Sequence, residues 1–115
     1  MIHTININTS KGSKEILVSD IIRIEASNNY SRIFFANNLY PLLTSKVLHW
    51  FEDNLNDKNF IRSHKSHLIN QEYIQTLCSN TSRVVLHNGE TIAVSKRKFT
   101  EVKKILVSKH LLKGI

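Results

Sequence analysis

At 115 residues, with 41% hydrophobic content, 3 Gly and 1 Pro, the chain has the size and make-up of one globular domain, residues 1–115, and not of a linker or disordered tail. Its single cysteine, Cys78, excludes an internal disulfide framework and a cysteine-based zinc site. The formal net charge of +7 favours a polyanionic partner, and it is lopsided: residues 1–57 hold 5 Lys/Arg against 6 Asp/Glu, whereas residues 58–115 hold 11 against 3.

His3–Asn8 alternates polar and apolar residues as a half-buried strand does, Lys11–Lys14 supplies a turn, and Glu15–Val18 returns as a strand. Ser19-Asp20 breaks the pattern before the strand Ile21–Ala26. Ser27-Asn28-Asn29 is a polar loop suited to turn conformations, and Tyr30–Ala36 is a β-rich run closed by Asn37-Asn38. Pro41, within Leu39–Leu43, suits an edge strand. Val47, Leu48, Phe51 and Leu55 then recur at helical spacing, which predicts an amphipathic helix from Ser45 or Lys46 to about Leu55, with Trp50 at the rim of the core. Phe60–Arg62, Leu68-Ile69 and Tyr73–Cys78 return to strand character, Cys78 being read as a packing residue. Asn88-Gly89 between Arg83–His87 and Glu90–Val94 predicts a two-residue hairpin turn with positive φ at both turn positions. Ser95 is placed to cap a final helix whose apolar face carries Phe99, Val102, Ile105 and Leu106. Many short strands with two modest helices indicate a mainly β fold.

The start, Met1-Ile2-His3-Thr4, lacks the charged start and apolar core of a signal peptide, and no apolar run approaches the ~20 residues needed to span a bilayer. A cytoplasmic protein without membrane contact is expected.

Three polar or basic clusters fall at breaks between elements, where binding residues are displayed. The first is Ser27–Arg32, whose amides and hydroxyls can bond phosphates or base edges. The second is Arg62-Ser63-His64-Lys65-Ser66-His67, read as an extended strand with Arg62, His64 and Ser66 on one face and Ser63, Lys65 and His67 on the other. The third is Ser95-Lys96-Arg97-Lys98 at the start of the last helix, where cations oppose the helix dipole and a bound phosphate would reverse the sign. His64 and His67 also raise a metal or catalytic pair, but no nearby Asp or Glu completes a ligand set, and no metal is expected. The chain has no phosphate-binding Gly-rich loop, nucleophile elbow or zinc motif, so neither an enzyme nor a cofactor is expected.

Taken together, Ile21–Ala26 with Asn28-Asn29-Tyr30, the string Phe60–Asn70, and Asn88-Gly89 followed by Val94-Ser95-Lys96-Arg97 resemble the LytTR family of bacterial transcription regulators, over roughly residues 15–107. The resemblance implies an elongated arrangement of small antiparallel sheets with short helices. It implies loops that enter successive major grooves of bent double-stranded DNA at promoter direct repeats, with a second copy on the adjacent half-site and a sensory or receiver partner for control. Carried over by position, Ser31, Lys65 and Arg97 are the base-reading candidates. Asn29, Arg32, His64, Ser66, Ser95, Lys96 and Lys98 would hold phosphates, and Asn70 would order the backbone of its own loop. Two other classes stand beside this reading: a protein-interaction module using a strand edge or the Trp50 helix, and a hydrolase or nuclease built on His64 and His67.

Overall fold

The computed structural model describes residues 3–37, 40–55, 59–109 and 112–113. Along the chain run β1 (Thr4–Thr9), β2 (Gly12–Leu17), β3 (Ile21–Ser27), β4 (Tyr30–Phe35), β5 (Leu42–Thr44), α1 (Leu48–Leu55), β6 (Phe60–His64), β7 (His67–Asn70), β8 (Ile74–Cys78), β9 (Arg83–Leu86), β10 (Thr91–Ala93), α2 (Lys96–Ser108) and β11 (Leu112–Lys113). The strands form three small sheets: the hairpin β1-β2, a five-stranded sheet in the order β5-β4-β3-β7-β6, and a four-stranded sheet in the order β10-β9-β8-β11. All pairings are antiparallel except the two-residue parallel match of β11 to β8. The molecule is elongated, with extents of 46 × 32 × 25 Å. No helix among the described residues is long and apolar enough to cross a membrane.

Two apolar cores form on opposite faces of the five-stranded sheet. One gathers Ile7, Ile24, Ile33, Phe51, Leu55 and Leu68 beneath α1 and the first hairpin; the other gathers Ile22, Ile61, Ile69, Leu77, Val84, Val102 and Leu106 between the sheets and α2. Strand alternation explains how β7 serves both, with Leu68 facing one way and Ile69 the other. On β3 a bulge does the same work. The register slips between Ile21 and Arg23, so Ile22 is re-aimed to the second core while Ile21 and Ile24 stay in the first.

Local details depart from the sequence expectation for identifiable reasons. The first turn is Ser10-Lys11, with Thr9 opposite Gly12, so β2 begins where the turn was expected; Gly12 takes φ +110, which a side chain would resist. The helix starts at Leu48 and not at Ser45 or Lys46, because that backbone is engaged elsewhere. The Lys46 amide donates to Thr44 Oγ1 at 3.2 Å, and its carbonyl accepts from Ser31 Oγ at 2.7 Å. Trp50 meets Phe51 edge-on at 5.0 Å and is half-buried at the rim. Pro41 lies just outside β5, which is an edge strand. The Asn37-Asn38 turn and the start of the run at Leu39 fall partly outside the described residues. Cys78 is half-buried at the end of β8.

At Asn88-Gly89 the loop is three residues long and not two. The Gly89 amide donates to the Leu86 carbonyl at 2.9 Å and the Leu86 amide to the Glu90 carbonyl at 2.8 Å, with positive φ at Gly89 and not at Asn88. One glycine in the left-handed region suffices for this turn-plus-bulge geometry.

That loop is bolted to the central sheet. Arg23, 7% exposed, donates from Nε and Nη2 to the two oxygens of Glu90 at 3.1 and 2.9 Å, and from Nη1 to Glu25 at 2.8 Å. Its guanidinium also stacks 3.8 Å from the centroid of the Phe34 ring. Burial opposes the charge, but the hydrogen bonds to Glu90 and Glu25 outweigh it, so Arg23 is held protonated more firmly than in water. The hydrogen bond from Arg23 in turn holds the Glu90 carboxyl below the usual carboxylate range, against its own burial.

Arg23→Ala should lower the unfolding free energy by about 2 kcal/mol, below the ~3–5 kcal/mol of a fully buried broken pair because Glu90 keeps part of its side chain in water. A urea titration with unchanged slope would read it. A depressed carboxylate contributes stability that is complete above its unfolded pKa and is lost as pH falls through its folded value. The gap between wild type and variant should therefore be full at neutral pH and narrow below about pH 4.

Candidate nucleic-acid interface

The register of the five-stranded sheet brings its polar loops to one end. Ser27 pairs with Tyr30, Glu25 with His67, His64 with His67, and Ser31 with Thr44. Antiparallel pairing then requires that the turns Asn28-Asn29 and Lys65-Ser66 and the loop Ser45-Lys46-Val47 leave the sheet at the same end. The third cluster joins them through β6. A bulge makes Ser63 the extra residue between Arg62 and His64. Ser63 is fully buried, donating from Oγ to the Ala93 carbonyl at 3.0 Å and accepting at its own carbonyl from the Ser95 amide at 2.9 Å. The start of α2 is thereby docked beside the β6-β7 tip.

In the first loop Asn28 takes φ 56, the left-handed region that Asn tolerates, and Asn29 and Tyr30 are exposed. Arg32 is 44% exposed at its side chain and lies 3.7 Å from Glu25, a loose pair at the surface. Ser31 requires a correction. It is 0% exposed and its hydroxyl donates to the Lys46 carbonyl, so it faces the interior and organises the β5-α1 loop where an exposed side chain was expected. Alternation decides this: Ser31 points inward on β4 beside Ile33, and Arg32 points out.

The central string is a tight hairpin, not one extended strand, which revises the expected division of its side chains into two faces. Lys65 is exposed at the tip. The Ser66 amide donates to His64 Nδ1 at 3.1 Å, and the Ser66 carbonyl accepts from the Ala26 amide at 2.9 Å, tying this tip to β3. An Nδ1 that accepts leaves the hydrogen of the neutral His64 ring on Nε2. Arg62 turns back over the hairpin and bonds its carbonyls. His64 and His67 do meet, with ring centroids 5.3 Å apart, but no group of three or more potential metal-binding side chains occurs among the described residues. Asn70 behaves as expected: buried, it accepts from the Glu72 amide at 3.0 Å and donates to the Ile21 carbonyl at 2.9 Å.

Ser95 caps α2 by accepting from the Lys98 amide at 3.3 Å. Lys98 is half-buried and lies 3.6 Å from Glu101. Lys96 and Arg97 are exposed, with no carboxylate at ion-pair distance among the described residues. Arg97 and Lys98 share one recess of about 460 Å³ with Ser95, Lys65, His64, Arg62 and Glu52. Four residues that are cationic at neutral pH thus face one carboxylate, next to the positive end of a 13-residue helix.

Two parts of this end escaped the sequence reading. Lys46 sits in the β5-α1 loop with Nζ 4.9 Å from the centroid of the Trp50 ring; it was expected inside a helix, and only its place beside the capping-type Ser45 hinted otherwise. The loop Ser79–Ser82 is held against the start of α2, the Val94 amide donating to the Ser82 carbonyl at 3.0 Å and Ser82 Oγ to the Val94 carbonyl at 3.1 Å. Its polar composition was the available signal.

Behind the tip, His67 is half-buried and its Nδ1 has no hydrogen-bond partner among the described residues. Burial holds its pKa below the usual histidine range. Glu25 opposes this, while His64, Arg23 and Arg83 reinforce it. The fold therefore favours the neutral ring. Its contribution is complete above the unfolded pKa and declines as pH falls from about 6.5 toward the folded value. His67→Gln should flatten the loss of thermal stability between about pH 7 and pH 5; parallel melting-temperature profiles for variant and wild type would show the ring to be solvated.

Comparison with known proteins gives the same outline. The family model described as the LytTr DNA-binding domain matches residues 11–107. The sensory transduction protein LytT of Bacillus subtilis (strain 168) is 28% identical over 102 residues, which is 84% of this chain and 42% of that protein. A solved LytTr DNA-binding domain from Bacillus cereus superposes with a TM-score of 0.75 at 24% identity, covering 90% of this chain and 95% of its own, and shares the fold.

Proposed function

The chain belongs to the LytTR family of DNA-binding domains, and from that premise we propose that it binds double-stranded DNA sequence-specifically as the reading part of a bacterial transcription regulator. The observation that carries this is the cationic end built from the β3-β4 turn, the β6-β7 tip and the start of α2. Lys96 and Arg97 lie there with no carboxylate partner among the described residues, against a helix dipole that a phosphate would satisfy.

In this reading Lys65 and Arg97, the two exposed long cations on the shared recess, read base edges in the major groove. Asn29, Arg32, His64, Ser66, Ser95, Lys96 and Lys98 hold phosphates and fix the register on the duplex, His64 through the Nε2 hydrogen left free by its own turn. Lys46 joins this group from the adjacent loop. Ser31 drops out as a reader. Loops on one narrow end suit successive major grooves, and two copies on direct repeats would give the site its length. The chain spans 42% of the length of the curated relative it matches, and control by a sensory or receiver module is part of the proposal.

Selection of bound sequences from a random duplex pool at about 0.15 M salt, where non-specific contacts are weakened, tests the reading. Recovery of a pair of repeated short elements supports it; a folded protein that recovers no motif overturns it and favours a protein-interaction module. On the selected duplex, Arg97→Ala should cost about 1–3 kcal/mol and relax preference at one base. Lys98→Ala should weaken selected and random duplex alike and reduce the salt slope by about 1. Fluorescence anisotropy across a salt series measures both.

A further inference from the structure

We propose that Arg62 is the positioning residue of the β6-β7 tip: it holds the backbone that aims Lys65 and does not itself bind DNA. The proposal rests on the DNA-binding reading above. A carbonyl in a hairpin turn has no ladder partner, and it ordinarily turns to water and lets the turn move. Here the Lys65 carbonyl of the turn and the His64 carbonyl at the end of β6 are both claimed by one guanidinium. Arg62 Nε donates to the His64 carbonyl at 3.0 Å and Nη2 to the Lys65 carbonyl at 2.6 Å. Because the guanidinium is planar and its hydrogens point in set directions, two bonds from one fork fix the orientation of both peptide planes flanking Lys65. The Cα–Cβ direction of Lys65 follows from those planes.

The third corner of the fork is also occupied. Nη1 donates to Glu52 Oε1 on α1 at 2.7 Å, and the Arg62 side chain is only 19% exposed. Its charge is already matched and its donors are directed inward, unlike exposed Lys65 and Arg97 on the same recess. From the other side, His64 Nδ1 takes the Ser66 amide. The tip is thus clamped through carbonyls by Arg62 and through an amide by His64, and Glu52 anchors the clamp to the helix over the first core.

The test compares Arg62→Lys, which keeps the charge but cannot form the fork, with Glu52→Gln, which leaves the fork but loosens its anchor. Affinity is read on the duplex recovered by selection and on random duplex, with salt slopes, alongside amide hydrogen exchange of the free proteins. Arg62→Lys is expected to lose about 10-fold on the selected duplex, with random-duplex affinity and salt slope unchanged. Exchange at Ser66 should rise by about 10-fold while core amides on β3 and β7 keep their protection. Glu52→Gln should shift both in the same direction by less. Because the charge is kept, a loss equal on selected and random duplex would make Arg62 a direct phosphate contact made through its guanidinium and overturn the proposal. Unchanged exchange at Ser66 would overturn it as well, and that result is obtained without DNA. A wild-type protein that selects no duplex defeats the DNA-binding reading separately, while the exchange comparison still decides whether Arg62 orders the tip.

Discussion

The geometry of the cationic end depends on two hydrogen bonds made by one buried serine. Ser63 is the extra residue of a bulge in β6, and it bonds the segment Ala93–Ser95 through both its hydroxyl and its carbonyl. Without a bulge, strand alternation would continue through Ser63 and the tip would leave the sheet along its axis. With it, the strand bends, and the unpaired backbone carbonyl of the bulge becomes the dock for the start of α2. Two clusters some thirty residues apart in sequence thereby share one recess. A polar residue buried at a sheet edge is costly unless its groups are bonded, and these are.

Charge is divided between two duties. Arg23 and Arg62 are largely withdrawn from solvent and each is matched to carboxylates, Arg23 to Glu25 and Glu90, Arg62 to Glu52. They join elements: Arg23 connects the β9-β10 loop to β3, and Arg62 connects the β6-β7 tip to α1. Lys65, Lys96 and Arg97 are exposed, and no carboxylate pairs with Lys96 or Arg97 among the described residues. Matched arginines stabilise the scaffold, whereas unmatched cations carry an unfavourable field that an anionic partner relieves. His67, kept neutral by burial behind the tip, belongs with the first group.

Much of the site was legible because its residues are conspicuous where they stand. Six polar residues between Phe60-Ile61 and Leu68-Ile69, and three successive cations at a helix start, are arrangements that a core-forming sequence avoids. Ser31 was misread for a reason of parity. It stands in a polar loop region by composition, but it is the second residue of β4 and faces inward, and its hydroxyl belongs to Lys46. Lys46 was missed because helical periodicity reached back to Val47 while tertiary bonds held the chain out of the helix until Leu48. The Asn88-Gly89 turn was located correctly, but its length was not, since the pairing partner of Leu86 decides whether two or three residues close the loop.

By itself the sequence determined the strand-rich class, the approximate order of elements, the Ser95 cap and the basic character of the second half, all of which follow from local periodicity, turn chemistry and charge. Only the tertiary structure decided which of those elements meet. Register is set by long-range pairing, and a single bulged residue shifts a side chain from one face to the other. Whether a polar residue faces water or is spent on a backbone carbonyl depends on partners far away in the chain. For that reason Ser31 and Arg62, both polar and both in promising places, became internal fasteners, while Lys65 and Arg97 were left facing outward.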